Sequence, residues 1–396
     1  MFKTLNSVER IFIILLGFVL VLNALKPLFD YFLQVDNRDV TIAQAFVMAV
    51  FFISAMWRMK ATFSRTEFLF VLYLLMRWLA EIVANGSGIV QPSVPLVKML
   101  ILVCGYKYLV EFRHTERFHR DIFWLLMFYA LFTVVIAGLH QSDTYLGTIY
   151  AQYGGNILSG NHLGFVRSSG GLGGTVIDYA VFLIYVLLMV VFCKESKRVK
   201  TWSVLLLLVG AYYAFSRVLF LVLLILLLMQ VLTKLRKNIL VYLPLLLSLI
   251  IFFIVYFPTG SLIDDYGEMR GSSDSNRVGS WVELYDKLNG LYFIVGASMG
   301  QNTGLPLGGV GKVTGDGHLQ GMLYDVGIIG LCLYLTLLYN YAKNIFIKRY
   351  DLFFFLLVLV AVYVINSGAE KIFNAIVLVL ILGVINKNNS VILPKN

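Results

Sequence analysis

Long apolar runs recur along the whole 396-residue chain and are separated by polar stretches that are mostly short. Apolar runs of about 17 or more residues can cross the hydrocarbon core of a membrane as helices, whereas a β-barrel would show alternating segments. The pattern predicts an all-α polytopic membrane protein, one integral domain over 1–396 with about twelve transmembrane helices. The predicted spans are 11–29, 40–57, 67–84, 94–111, 121–139, 175–192, 201–215, 217–233, 238–257, 320–341, 352–367 and 372–385.

The charged residues predict how the chain is oriented in the membrane. Only 14% of the residues are charged, whereas soluble domains have about a quarter. A net charge of +10 would suit a nucleic-acid-binding protein, but the basic residues lie in short loops, where membrane topology explains them better. One alternate set of loops carries twenty of these residues and the other set carries nine. The richer side should be cytoplasmic, which places both termini there.

Two polar loops fall on the opposite side, in the periplasm or its equivalent, and each could build part of a site. The loop 140–174 is long, neutral and rich in glycine, and the loop 258–319 is the largest polar segment of the chain. Within the larger loop, apolar residues of 281–291 recur at helical spacing and predict a short amphipathic helix. This helix could be an interfacial cover for the bundle or could contact a substrate.

Three arginines on the predicted periplasmic side are candidates for binding a phosphate group. Topology disfavours basic residues there, yet Arg167, Arg217 and Arg277 all fall near this face. A guanidinium group stays charged and binds phosphate oxygens through two parallel hydrogen bonds. Together the three would suit a pyrophosphate at the membrane surface. Each alone could instead form a salt bridge or contact a lipid headgroup.

Two residues just before the span 320–341 are candidates for a general base. His318 has an imidazole, which can accept a proton from a sugar hydroxyl near neutral pH, and Asp316 is the competing base. The alternative for His318 is a loop histidine with no role. No nucleotide-binding, zinc or acidic metal-binding motif accompanies them, so we expect neither a metal nor a cofactor.

Two charged residues are predicted inside the third span. Arg77 and Glu81 are four residues apart, which places them on one helix face. An isolated charge within a membrane is costly, so we expect an ion pair that faces the bundle interior and has a structural role.

Five segments between residues 165 and 335 form a set with a fixed order along the chain. They are Arg167 with its glycine-rich turn, the FSR of Ala214–Leu221 with its apolar run, Arg277-x-x-x-Trp281, FIVGASMGQ (Phe293–Gln301) and LQGMLYDVGIIGLCLYL (Leu319–Leu335). In this order they resemble the O-antigen ligase and polymerase family. The ligase pattern has a His-Asn pair about eleven residues before the glycine that corresponds to Gly327. Asp316 occupies that position here, and His318 is followed by Leu319. The resemblance therefore favours an O-antigen polymerase of a bacterial inner (plasma) membrane.

The resemblance implies a reaction as well as a fold. The substrates would be glycans linked to undecaprenyl pyrophosphate, and a chain-length regulator in the membrane is a possible partner. Arg167, Arg217 and Arg277 would hold the pyrophosphate leaving group, and His318 or Asp316 would deprotonate the acceptor hydroxyl. Two alternatives stay open, namely a ligase that transfers the glycan to lipid A core and a flippase for the lipid-linked oligosaccharide.

Overall fold

The structure of the chain is a computed structural model, and it describes most of the predicted helical regions. The described residues are 6–34, 37–85, 89–112, 114–139, 145–153, 168, 170, 176–193, 195–214, 219, 221–226, 229, 284, 287–288, 290–299, 318–365 and 372–390. Over these ranges the chain is 89% helical and has no strand. The prediction of an all-α fold is confirmed for this part of the chain.

The helices are named here in chain order. They are α1 (Ser7–Leu33), α2 (Asn37–Arg58), α3 (Arg65–Asn85), α4 (Val90–Tyr106), α5 (Glu116–Leu139), α6 (Tyr145–Tyr153), α7 (Val176–Phe192), α8 (Lys197–Ala214), α9 (Leu291–Val295), α10 (His318–Ile345), α11 (Arg349–Ile365) and α12 (Ile372–Ser390). A π-helical turn, Lys107–Glu111, continues α4. Helices α6 and α9 lie within the two predicted periplasmic loops.

Five segments in the described ranges are long and apolar enough to cross a membrane. They are Ser7–Leu33, Val40–Arg58, Val90–Glu111, Glu116–Leu139 and His318–Ile345. Their outward faces carry large exposed apolar side chains such as Ile14, Phe46, Trp57, Phe128 and Val135. A soluble protein rarely exposes so much apolar surface, which suits contact with lipid. The described part therefore has the features of a helical membrane protein, while the count of twelve spans stays a prediction.

Part of the predicted architecture lies outside the described residues. Within the predicted span 217–233, residues 219, 221–226 and 229 are described and helical, whereas the span 238–257 is wholly outside. Of the predicted amphipathic helix 281–291, Leu284 and Leu288 are described, and both are buried against Tyr324 of α10. These two contacts agree with a helix that covers the bundle.

Helices α7 and α12 form the centre of the bundle. Every residue of 178–190 and of 373–385 is buried. Both segments are apolar on all sides, and a helix of this kind is stable only when other helices or lipid surround it. Here the other helices surround them, including α4, α5 and α8.

One end of the bundle gathers helix ends that are rich in basic residues. Polar contacts join the start of α1 to the start of α5, the end of α4 to the start of α3, and the end of α10 to the start of α3. They are Glu9 to Thr115 (2.7 Å), Glu67 to Lys107 (3.0 Å) and Glu67 to Tyr341 (2.9 Å). The predicted spans alternate in direction across the membrane, and this alternation requires these helix ends to lie on the same side. Which side of the membrane they face stays a prediction.

The helix α10 is broken, and this changes one predicted span. Gly327 has φ 64° and ψ −173°, which is not helical. A continuous helix would separate His318 from Tyr334 by about 24 Å along its axis, yet their ring centroids are 5.8 Å apart. The chain therefore folds back at Gly327. The predicted continuous span 320–341 is interrupted there, and a short segment, 318–326, lies against the longer part, 328–345.

Candidate functional site

The segment 318–326, called the re-entrant segment below, carries His318 into the interior of the bundle. Seven of its nine residues are buried, including both of its ends. Helix ends leave backbone groups without intrahelical partners, and such groups are tolerated at membrane depth only where protein or water satisfies them. The carbonyl end of this segment therefore has to find donors elsewhere in the protein.

Donors from α3 and from the segment 295–299 satisfy the carbonyl end. The Tyr324 carbonyl accepts a hydrogen bond from the backbone N–H of Ala297 at 2.8 Å. The Val326 carbonyl accepts one from the Tyr73 hydroxyl at 2.6 Å, and the Asp325 carbonyl accepts one from Arg77 Nη2 at 3.4 Å. The last three carbonyls of the re-entrant segment are thus all hydrogen-bonded.

The same side chains of α3 also hold the segment 295–299. The Tyr73 hydroxyl shares its one O–H between the Val326 carbonyl and the Val295 carbonyl, which is 3.2 Å away, and Arg77 Nη2 donates to the Gly296 carbonyl at 3.3 Å. One turn further along, Glu81 accepts from Ser298 Oγ at 2.7 Å and from the Met299 N–H at 3.1 Å. We call Tyr73, Arg77 and Glu81, which are spaced four residues apart on one helix face, the α3 stripe.

The prediction for Arg77 and Glu81 is confirmed in its main part. Arg77 Nη2 lies 4.0 Å from Glu81 Oε2, and the two side chains are 13% and 2% exposed. They face the interior, as the cost of a charge in the membrane requires. Most of their polar contacts are with the two backbone segments described above, which the spacing of the two residues could not reveal.

Two glycines allow these backbone segments to touch. Gly296 and Gly327 both have positive φ, at 92° and 64°. A Cβ atom on Gly327 would lie 2.4 Å from the Ile294 carbonyl oxygen, and one on Gly296 would lie 2.7 Å from the Asp325 carbonyl oxygen. Only glycine combines such a backbone conformation with so close an approach.

At its other end the re-entrant segment places His318 in a small pocket. The polar side chains that line the pocket are Lys98 of α4, Tyr185 of α7, His318 and Tyr334 of α10, and Tyr363 of α11. The space they enclose has about the volume of one water molecule. All five side chains are buried, and His318 is only 1% exposed.

The imidazole of His318 is the chemically distinctive group in this pocket. Its ring lies 4.7 Å from the ring of Tyr363, centroid to centroid, at 60°. Neither of its nitrogens has a hydrogen-bond partner among the described residues. A buried imidazole normally has such a partner, because leaving a buried polar group unpaired is costly. His318 is therefore placed to accept a proton from, or donate one to, a group that enters the pocket.

The tyrosines form a hydrogen-bonded chain beside His318. The Tyr334 hydroxyl donates to the Tyr363 hydroxyl at 3.1 Å, and the Tyr185 hydroxyl is also hydrogen-bonded to Tyr363. These phenols come from three different helices, so they also tie α7, α10 and α11 together. Lys98 adds a basic side chain to the lining of the pocket.

Four of the predicted site residues lie outside the described residues, namely Arg167, Arg217, Arg277 and Asp316. The structure describes neighbours of two of them. The N–H of Ser168, which follows Arg167, donates to the carbonyl of Tyr213, four residues before Arg217, at 3.0 Å. Gly170 packs on the ring of Tyr179 in α7. The chain next to Arg167 is thus fixed against the end of α8.

Sequence reasoning missed most of the His318 pocket. Lys98 is a cation within an apolar run, and an ionisable residue inside a membrane is by default a candidate for function. That signal could have identified it. The three tyrosines gave no such signal, because a single tyrosine in an apolar helix is common and their convergence depends on tertiary packing.

Comparisons with known proteins leave the function to be argued from the chain itself. No protein-family model matches it, and no curated protein matches it.

Proposed function

We propose that this protein is a membrane glycosyltransferase that polymerises oligosaccharide repeat units linked to undecaprenyl pyrophosphate, at the periplasmic face of a bacterial inner membrane. The observation that carries the proposal is His318, a buried imidazole without a described partner, at the end of the polar loop that contains Arg277, one of the three candidate arginines. The order of the family-like segments between residues 165 and 335 supports it further.

The proposed reaction needs one proton acceptor and one site for the leaving group. The acceptor hydroxyl of one repeat unit attacks the anomeric carbon of another, and a new C–O bond forms as the bond to pyrophosphate breaks. His318 or Asp316 takes the proton of that hydroxyl. Undecaprenyl pyrophosphate leaves, and Arg167, Arg217 and Arg277 offset its charge. Attack from the opposite face inverts the anomeric configuration.

Two structural features fit this assignment of roles. The pocket at His318 has the volume of a water molecule, which matches one hydroxyl group and excludes a sugar ring. The hydrogen bond between Ser168 and Tyr213 ties the chain beside Arg167 to a residue close in sequence to Arg217, which favours a joint role for these two arginines. The acceptor hydroxyl would enter the pocket while its sugar stays outside.

A flippase is the second candidate, and the broken helix α10 favours it. Transporters use discontinuous helices and buried ionisable residues at their binding sites. The break at Gly327 and the buried pair of Lys98 and His318 have these features. The flippase and the polymerase differ in which intermediate accumulates when the protein is absent.

The first test is deletion of the gene, followed by analysis of lipopolysaccharide and of lipid-linked intermediates. A polymerase deletion should leave core carrying a single repeat unit. Long polymer on the lipid carrier with bare core would identify a ligase, and single lipid-linked units with bare core would identify a flippase. An unchanged ladder would exclude all three functions.

Complementation then tests the predicted pyrophosphate site. Arg277→Ala, expressed at the wild-type level, should fail to restore the ladder, because one guanidinium that stabilises the leaving group is lost. We expect an activity decrease of about a hundredfold or more, as for other groups that stabilise developing charge. The matched control is Arg270→Ala in the same loop, which should restore a normal ladder. Equal behaviour of the two variants would contradict the role of Arg277.

The reaction should also proceed without a metal ion. The lipid pyrophosphate already activates the sugar, and the arginines supply the positive charge that a metal would otherwise provide. Purified protein in proteoliposomes should therefore extend lipid-linked repeat units at an unchanged rate in EDTA. A loss of activity that added Mg²⁺ or Mn²⁺ restores would contradict this prediction.

A further inference from the structure

The α3 stripe makes many more polar contacts than an ion pair between Arg77 and Glu81 would require. Its hydroxyl, guanidinium and carboxylate groups contact four backbone or side-chain groups in 295–299 and two in the re-entrant segment. Those partners are 217 to 253 residues away in the chain. One face of one helix therefore holds two distant segments in a fixed relation to each other.

The contacts are concentrated at one end of the re-entrant segment, and His318 is at the other end. The segment has nine residues, so about 12 Å of helix axis separates His318 from Val326. A short helix moves as a rigid unit when its hydrogen bonds are intact. Fixing the direction of its carbonyl end therefore fixes where its first residue lies.

We propose that Tyr73, Arg77 and Glu81 are positioning residues that hold His318 in its pocket by capping the re-entrant segment and the segment 295–299 together. None of the three is among the described residues that line the pocket, and they act through the backbone at Gly296 and Gly327. A consequence is that any displacement of 295–299 in the larger loop is transmitted to His318. This inference concerns the placement of His318 and holds whatever reaction His318 serves.

Tyr73→Phe is the most informative variant, because it removes one hydroxyl and leaves the ring. It deprives the Val295 and Val326 carbonyls of their donor. Hydrogen exchange of the full-length protein in nanodiscs would report on the amides of 318–326. We expect these amides to exchange at least about tenfold faster in Tyr73→Phe and in Glu81→Ala than in the wild type.

The matched control is Glu67→Gln on the same helix. Glu67 is as buried as Glu81 and also contacts α10, but it does so through Tyr341, near the far end of that helix. This variant should leave the exchange of 318–326 unchanged. It separates the proposed positioning role from a general loss of stability when a buried carboxylate of α3 is removed.

Thiol labelling gives a second measurement of the same property. In a Cys332→Ser background, His318→Cys should react slowly with a maleimide, and Tyr73→Phe should raise its rate at least about tenfold. Cys104 and Cys193 are buried, and burial raises the pKa of the Cys193 thiol, so neither should contribute much labelling.

The results of both measurements decide the proposal. Faster exchange and labelling in the stripe variants, with an unchanged control, support it. Unchanged rates in folded Tyr73→Phe, or equal increases in Glu67→Gln, overturn it. Neither measurement uses a substrate, so a failure here leaves the proposed reaction standing, and a failure of the proposed reaction leaves the positioning role standing.

Discussion

Replacing Gly327 with alanine should destabilise the folded protein by about 2–6 kcal/mol, the largest effect that we expect from a single methyl group. The new Cβ would lie 2.4 Å from the Ile294 carbonyl oxygen and 2.5 Å from the Gly296 nitrogen. Both are backbone atoms, so no side chain can rotate away. The backbone conformation at φ 64° and ψ −173° is one that only glycine adopts readily.

Fluorescence-detected size exclusion and the thermal midpoint in detergent would measure this effect. Gly17→Ala provides the control, because a Cβ on Gly17 meets no atom within 4 Å and Gly17 lies inside the helix α1. That substitution should be neutral or slightly stabilising, since alanine favours helix more than glycine does. A Gly327→Ala protein as stable as the wild type would show that the chain does not fold back at this residue.

Lys107→Met should destabilise the protein by about 3–5 kcal/mol, because it leaves a buried carboxylate without its cation. Lys107 Nζ lies 3.0 Å from Glu67 Oε2, and the two side chains are 5% and 2% exposed. Glu67 keeps hydrogen bonds from the Tyr341 hydroxyl and from the Ser64 N–H. Those bonds stabilise the charge only in part.

A double-mutant cycle would separate the lost cation from the lost packing. Adding Glu67→Gln to Lys107→Met removes the uncompensated charge and keeps an acceptor for Tyr341, so much of the lost stability should return. The exposed pair Arg117–Asp121, at 3.6 Å, is the control, and Arg117→Met should cost less than about 1 kcal/mol. Equal thermal midpoints for Lys107→Met and Arg117→Met would contradict the importance of the buried pair.

The sequence predicted most of the long helices of the described residues, because a helix that crosses a membrane needs a long apolar run and little else. The break at Gly327 escaped prediction for the same reason. Apart from Asp325, the residues close to it on both sides are mostly apolar and continue the run, so the pattern predicts one span. The fold-back depends on contacts with Ile294 and Gly296, which are 33 and 31 residues earlier in the chain.

The candidate site was predictable only in those parts that depend on charge. Arg77 and Glu81 were identified because charges within an apolar run need an explanation, and their inward orientation followed from the same cost. His318 was predicted as a residue of the loop before a span, whereas the structure places it inside the bundle between α4, α7, α11 and α12. Its surroundings depend on how those helices pack, which their separate patterns do not encode.

The central position of α12 has a consequence for how the protein is made. It follows every other described helix in the chain, yet its residues 373–385 are buried against α4, α5 and α7. While the chain emerges from the ribosome, the earlier helices insert with the groove for α12 still open. The surfaces of α4, α5 and α7 that contact α12 stay without it until synthesis reaches residues 372–390. The part of the interior that α12 fills can therefore form only after all the other described helices have been made.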